Sequence, residues 1–338
     1  MPMYFTHLLG HPHRQAALAG LRALGLACLV GLSAPVLAFD AQGHRGARGL
    51  APENTLPAFE QALAIGVHTL ELDIGLTADH VVVIAHDRML NPAFVRDASG
   101  RWLGQPGPSI RSLTLAQLQT YDVGRLDPRH PYAKTFATQQ AHDGTRMPTL
   151  AALFARVKAL GATQTRFNIE TKLSPEAPTQ TASPEQMVQA LLAVIREADM
   201  VSRVSIQSFD WRTLQLVQKA EASIPTVYLT SQTASTDSPR DARWTAGHQL
   251  ADHGSVPRMV KAAGGAAWSP NADALSPDLV QEAQALGLKV IPWTVNDPAA
   301  MERLIDWGVD GIISDYPDRL RQVMARKGLA LPRPVVPR

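Results

Sequence analysis

The stretch Thr69-Leu70-Glu71-Leu72-Asp73-Ile74 reads as a β-strand in which apolar and polar side chains alternate. Successive side chains of a strand face opposite ways, so Glu71 and Asp73 share one face and Leu70, Leu72 and Ile74 the other. Two carboxylates on one face can jointly hold a hard divalent cation by oxygen. Seven more short runs of this kind punctuate the chain: Ala41 to His44, Arg166 to Glu170, Val204 to Gln207, Thr226 to Leu229, Ala266 to Ser269, Lys289 to Trp293 and Gly311 to Ser314. Helical patterns lie between them. Ser183-Pro184-Glu185-Gln186 combines a capping box with proline at the first helical position, and Ser276-Pro277 and Asp297-Pro298 repeat the start signal. Met187, Val188, Leu191, Leu192 and Ile195 then recur at helical spacing as a core stripe. Strands alternating with helices predict a parallel α/β sheet. Eight strands in this length fit a (β/α)8 TIM barrel, which uses ~250 residues plus insertions.

Two stretches depart from the alternation. Val81 to Ala85 is expected to pair with the second strand across Thr77-Ala78-Asp79-His80, returning His86 to the level of Asp73. Residues 88–148, rich in Gly, Pro and Arg, read as a small insertion between the second and third barrel strands. Residues 231–255 form a smaller polar excursion.

Residues 1–38 carry Arg14 and Arg22 but no acid, then an apolar run from Ala23 to Leu32 and an exit at Val36-Leu37-Ala38. That is a secretory leader pattern, and the run is short for a membrane span of ~20 residues. The expected organisation is a signal peptide at 1–38, a barrel domain at 39–322 and a solvated, Pro- and Arg-containing tail at 323–338. This implies a periplasmic or secreted protein without stable membrane insertion. The one cysteine, Cys28, falls in the leader, which leaves no thiolate chemistry to the rest. Loss of the leader also brings the formal net charge from +2 to neutrality. A neutral body lacks the clustered Lys and Arg that nucleic acid requires, so the expected partner is a small molecule. Oligomeric state is not readable.

The active site of such a barrel lies at the carboxyl ends of its strands. His44, Glu71, Asp73, Glu170, Gln207, Trp293 and Asp315 each stand at or near the end of an apolar run. Acids there are costly unless paired. Glu71, Asp73 and Glu170 offer an oxygen-only site that favours calcium or magnesium over zinc. His44 and His86 can serve as general acid and base beside it. Arg45 and Lys172 are candidates for neutralising a phosphate, Arg45 having a structural ion pair with Glu53 as its alternative. Glu53 opens the first barrel helix and is expected to orient the ion or substrate, while Asn54 or Thr55 caps that helix. Trp293 and Phe209 are candidate walls for an alcohol group, and Gln207 a candidate substrate contact. Pro292 should end the seventh strand early.

The blocks HRGARGLAPENT at 44–55, Glu71-Leu72-Asp73, His86-Asp87, Asn168-Ile169-Glu170-Thr171-Lys172, Gln207-Ser208-Phe209, Trp293-Thr294-Val295-Asn296 and Ser314-Asp315-Tyr316-Pro317 occur in one order across nearly the whole chain after the leader. In order and wording they resemble the glycerophosphodiester phosphodiesterase family, of the exported bacterial type. The resemblance implies the same three metal ligands, an inserted subdomain at the same place, and metal-dependent hydrolysis of glycerophosphodiesters to glycerol 3-phosphate and an alcohol. It implies attack by water or by the substrate's own 2-hydroxyl, with His44 expected as base and His86 as acid. Two rivals stand beside it. One is a secreted phospholipase D or C-like phosphodiesterase, against which the polar insertion around Arg96, Asp97, Arg101 and Arg111 argues. The other is a periplasmic binding protein on the same fold without turnover.

Overall fold

The structure, a computed structural model, describes residues 39–336; the leader expected at 1–38, with Cys28, lies outside the described residues. Eight parallel strands form the barrel: β1 (Asp40–Gly43), β2 (Thr69–Leu76), β4 (Arg166–Thr171), β5 (Val204–Ser208), β6 (Thr226–Thr230), β7 (Ala267–Pro270), β8 (Lys289–Val290) and β9 (Gly311–Ser314). They run in the order β8-β7-β6-β5-β4-β2-β1-β9, and β3 (Val82–Ile84) pairs antiparallel with β2. All eight expected strands are present, and the fold is the (β/α)8 barrel. The ladder of β8 stops after Val290 because Pro292 has no N–H to give. Closure onto β9 is completed instead by single bonds, Ile313 N donating to Pro292 O at 3.0 Å and Val295 N to Ile313 O at 3.0 Å.

Eight helices cover the outside: Leu56–Ile65, Leu150–Ala159, Pro184–Glu197, Trp211–Ala220, Val256–Ala262, Pro277–Ala285, Pro298–Asp306 and Pro317–Arg326. Thr55 caps the first by accepting from Ala58 N. Ser183 and Gln186 close the expected capping box on the third, whose Met187, Val188, Leu191, Leu192 and Ile195 are all buried. Each such side chain contributes roughly 1.5–3 kcal/mol on burial. The outward-facing Leu70, Leu72 and Ile74 of β2 pack beneath these helices at 0 % exposure. Both faces of the strand are therefore covered, as parallel sheets require. No helix among the described residues is long and apolar enough to cross a membrane.

Register decides what meets inside the barrel. Asp73 lies opposite Glu170, and Glu170 opposite Gln207; one rung below, Glu71 lies opposite Asn168, and Asn168 opposite Ser205. A slip of one residue would send all of these side chains to the helix layer.

Residues 88–148 follow the β2–β3 hairpin as a loop-rich body with short helices at Leu115–Leu118 and Pro131–Thr135. Leu90, Val95, Ile110, Leu118, Val123 and Met147 form an apolar cluster of their own with Val83 and Ala85. At the other end, the last helix runs on through Arg326, past the point where a tail was expected to begin. The segment beyond it is not simply solvated. Val335 N donates to Leu63 O at 2.8 Å, Arg321 Nη1 donates to Pro332 O at 2.6 Å, and Leu329 and Val335 pack against the core. Two apolar side chains among the prolines supply the anchoring that composition alone did not suggest.

Candidate active site

The turn after β1 shapes the rim of the barrel mouth. Gly43 and Gly46 are obligatory there: a Cβ on Gly43 would lie 2.2 Å from Gly46 O, and one on Gly46, at φ 84°, would lie 2.6 Å from the backbone of Ala58. Arg45 between them adopts φ 49° and Asn54 φ 56°. These are left-handed conformations that cost non-glycine residues energy and mark built sites. Arg45 N consequently donates to Glu71 Oε2 at 2.8 Å, and Asn54 Nδ2 to Asp73 Oδ2 at 2.9 Å.

Glu71, Asp73 and Glu170 converge, each offering a carboxylate oxygen within 4.8 Å of the others. All three are buried, at 2 %, 1 % and 7 % exposure. Burial and the charge of Asp73 push the Glu71 carboxyl well above the usual range. Burial also raises Glu170 to about 7, against the pull of Lys172, whose Nζ donates to Glu170 Oε1 at 2.7 Å. Asp73 goes the other way. Burial opposes its ionisation, but the charges of His86, Arg45 and Lys172 and the Asn54 amide outweigh burial and hold it far below the usual range. Three convergent buried acids, two of them with raised pKa, form a donor set of oxygens short of positive charge. A hard divalent cation fits that deficit, since all three donors are carboxylate oxygens.

The two histidines flank this cluster. His44 is 8 % exposed; its Nδ1 lies 2.6 Å from Asp315 Oδ1, and its Nε2 is 3.9 Å from Glu71 Oε2. Asp315 is itself fixed by Arg48, whose Nε and Nη2 donate at 2.7 and 3.0 Å, and by Asn296 Nδ2 at 2.7 Å. Burial, then the Arg48 charge, lower His44 to about 4 despite Asp315. The imidazole is therefore neutral at pH 7. With the Nδ1 proton assigned to the Asp315 bond, Nε2 carries the free lone pair. His86 leaves β3 beside Asp73 through the expected hairpin, Ala85 N donating to Asp73 O at 3.0 Å. Its Nδ1 lies 2.8 Å from Asp87 Oδ1, and burial, then Arg45 and Lys172, lower its pKa.

Other expected site residues divide. Arg45 Nη1 donates to Glu53 Oε1 at 2.6 Å, so the ion pair weighed as an alternative is present. Its Nε nevertheless has no hydrogen-bond partner among the described residues, although Asp73 Oδ2 is 3.3 Å away. Phe209 and Trp293 meet edge to face at 5.5 Å between ring centres, and Lys172 Nζ sits 6.0 Å from the Phe209 centre. Gln207, expected as a substrate contact, is 1 % exposed and lies inside the barrel. Its Nε2 donates to Glu71 Oε1 at 2.7 Å and its Oε1 accepts from Asn168 Nδ2 at 2.9 Å. It orients the Glu71 carboxylate. Sequence reasoning gave no role to Asp315, Arg48 or Tyr132. Tyr132, from the insertion, donates its hydroxyl to Glu53 Oε2 and accepts from Arg48 Nη1 at 3.2 Å. Asp315 carried the same signal as Glu71, an acid closing an apolar strand.

Comparison with known proteins agrees with this geometry. The model of the "Glycerophosphoryl diester phosphodiesterase family" matches residues 44–319. A Bacillus subtilis glycerophosphodiester phosphodiesterase is 29% identical over 283 residues, covering 83% of this chain and 84% of that protein. The crystal structure of a candidate glycerophosphoryl diester phosphodiesterase from Silicibacter pomeroyi superposes with a TM-score of 0.78 at 36% identity, covering 87% of this chain and 95% of that one. An Oleispira antarctica phosphodiesterase, solved with the product sn-glycerol-3-phosphate, shares the fold with a TM-score of 0.63 at 21% identity, covering 85% and 96% of the two chains. With a family match that runs from His44 to the last barrel helix, the chain belongs to the glycerophosphoryl diester phosphodiesterase family.

Proposed function

We propose that this protein hydrolyses glycerophosphodiesters to glycerol 3-phosphate and an alcohol, using one divalent cation and two histidines. The observation that carries the reading is the convergence of Glu71, Asp73 and Glu170 between His44 and His86. Those three acids would hold the cation, calcium or magnesium. When bound, it supplies positive charge to the non-bridging phosphate oxygens and so lowers the repulsion an anionic diester presents to a nucleophile. Arg45 is suited to add to this neutralisation through its charge, which lies beside Asp73 in the acid cluster, and guanidinium donors match phosphate oxygens. Lys172, bonded to Glu170, adds a second positive charge.

His44 is the base in this reading. Its neutrality and the Nδ1 bond to Asp315 leave Nε2 to take the proton from the attacking hydroxyl, whether of water or of the substrate's glycerol 2-position. As the new P–O bond forms, the bond to the alcohol breaks and His86 donates a proton to the departing oxygen; where the 2-hydroxyl attacks, a second attack by water then opens the cyclic diester to glycerol 3-phosphate. Arg45 and Lys172 lower the His86 pKa, and an anionic diester entering beside them acts with the opposite sign, favouring the imidazolium that an acid must be. The leader pattern supports export as the setting. The test is release of glycerol 3-phosphate from glycerophosphocholine by protein stripped of metal, then resupplied with calcium or magnesium. Turnover should vanish with a chelator and return with the ion; turnover indifferent to both would refute the metal role.

A further inference from the structure

A cleft of about 450 Å3 opens at the carboxyl ends of β5, β6 and β8. Its walls include three aromatic rings, Phe209, Trp244 and Trp293, and three carboxylates, Glu176, Asp237 and Asp241. Trp244, Asp237 and Asp241 come from the polar excursion at 231–255, to which the hydrolytic reading gives no task. Two of its lining residues lead towards the reacting centre. Phe209 faces Lys172, and Trp293 precedes Thr294, whose hydroxyl lies 3.5 Å from His44 Nδ1. Outer arginines partly neutralise the acids: Arg240 pairs with Asp237 at 3.0 Å, and Arg243 with Asp241 at 2.5 Å and with Glu176 at 3.5 Å. Two exposed guanidinium groups against three carboxylates leave the patch net negative.

Aromatic faces attract cations through the ring quadrupole, and quaternary ammonium groups, which cannot donate hydrogen bonds, depend on that attraction. Carboxylates nearby add a long-range field of the same preference. The phosphate end of the site has the opposite sign, with Arg45 and Lys172. A ligand matched to both ends is zwitterionic. We infer that this cleft seats the alcohol side of the diester and selects a trimethylammonium head group over a neutral one, with Trp244, Phe209 and Trp293 enclosing the cation. The inference rests on the diesterase reading above and names its substrate class.

Two measurements test it together: the ratio of kcat/KM for glycerophosphocholine to that for glycerophosphoglycerol, and quenching of tryptophan fluorescence by choline alone. The wild type should favour the choline diester about tenfold, the worth of one or two cation–π contacts. Trp244→Leu should remove most of that preference by raising KM for the choline diester far more than KM for glycerophosphoglycerol, and weaken the choline quench. Asp237→Asn should lower the ratio by a few-fold, and more at low salt. Equal wild-type rates on the two diesters, or a ratio and quench untouched by Trp244→Leu, would overturn the inference while leaving the hydrolase standing. Turnover of neither diester, with a choline quench that Trp244→Leu still removes, would instead refute the hydrolase reading and keep the cation subsite.

Discussion

His44 and His86 each present Nδ1 to a carboxylate, but the two regions that hold them are built on different scales. Asp315, the partner of His44, lies 271 residues away, so the pair forms only when β9 closes onto β1. Asp87 follows His86 directly. The His44 side chain is 10% exposed and Asp315 1%, and Arg48 and Asn296 fix Asp315 further. The His86 pair is 30% and 32% exposed and is supported by Asn91, which donates to Asp87 Oδ2 at 2.6 Å. One imidazole is thus oriented by tertiary closure, the other by a local hairpin at the edge of the insertion. The proposed base and the proposed acid rest on unlike supports, and the two sites should respond differently when those supports are removed.

The largest effects should come from the imidazoles themselves. His44→Ala and His86→Ala are each expected to lower kcat by ~10²–10⁴-fold, the range for loss of a general acid or base. Cation affinity, measured by calorimetry, should stay within a few-fold of wild type. Near-normal turnover in either variant would remove that histidine from the reaction. Next come the supports. Asp315→Asn deprives neutral His44 of the acceptor that sets its tautomer and leaves Arg48 buried without its partner, so kcat should fall ~10²–10³-fold. Urea unfolding should show a loss of roughly 3–5 kcal/mol, as for a broken buried ion pair. Asp87→Asn should cost only about tenfold in kcat and less stability than Asp315→Asn, because this pair is about one-third exposed and partly screened by water. Equal penalties for the two substitutions would erase the distinction between the regions.

A pH experiment sharpens the role of the acids between the histidines. The Glu170 carboxyl is raised from 4.5 to about 7 in the metal-free fold. The folded state therefore binds a proton that the unfolded chain has released, and the associated stability is full below pH 4.5 and lost as pH rises through 7. Because glutamine resembles the protonated carboxyl, stripped Glu170→Gln should match the wild type near pH 4.5 and exceed it in Tm increasingly across that window, and calcium or magnesium should raise the wild-type Tm most at its upper end. A difference flat with pH would mean that Glu170 ionises normally. The smallest effect concerns the insertion: Tyr132→Phe removes one hydroxyl from Glu53 and Arg48. It should change kcat/KM by a few-fold, since one hydrogen bond is worth about 1 kcal/mol.

Much of this was legible in the sequence because its signals are local. Period-two alternation placed Glu71 and Asp73 on one face, cap-and-proline pairs marked helix starts, and Pro292 announced the short β8. Acids closing apolar strands pointed to the cluster at 71, 73 and 170. What escaped depends on contacts distant in the chain. Nothing near Arg48 shows that it reaches Asp315, and nothing near Tyr132 shows that the insertion folds back onto Glu53. Gln207 illustrates a different failure. Its strand-end position fitted a substrate contact, but its amide is buried and engaged with Glu71 and Asn168 inside the barrel. The tail misled through composition: prolines suggested solvation, while Leu329 and Val335 supplied the contacts that hold it.

The central claim is that Glu71, Asp73 and Glu170 bind a single ion that replaces protons shared among them. Calorimetric titration of calcium or magnesium into stripped protein at pH 7, repeated in two buffers of different ionisation enthalpy, measures both stoichiometry and proton release. One ion per chain with net release of protons, lost in Glu170→Gln, is the predicted result. Binding with no proton release, or binding that survives Glu170→Gln unchanged, would contradict it.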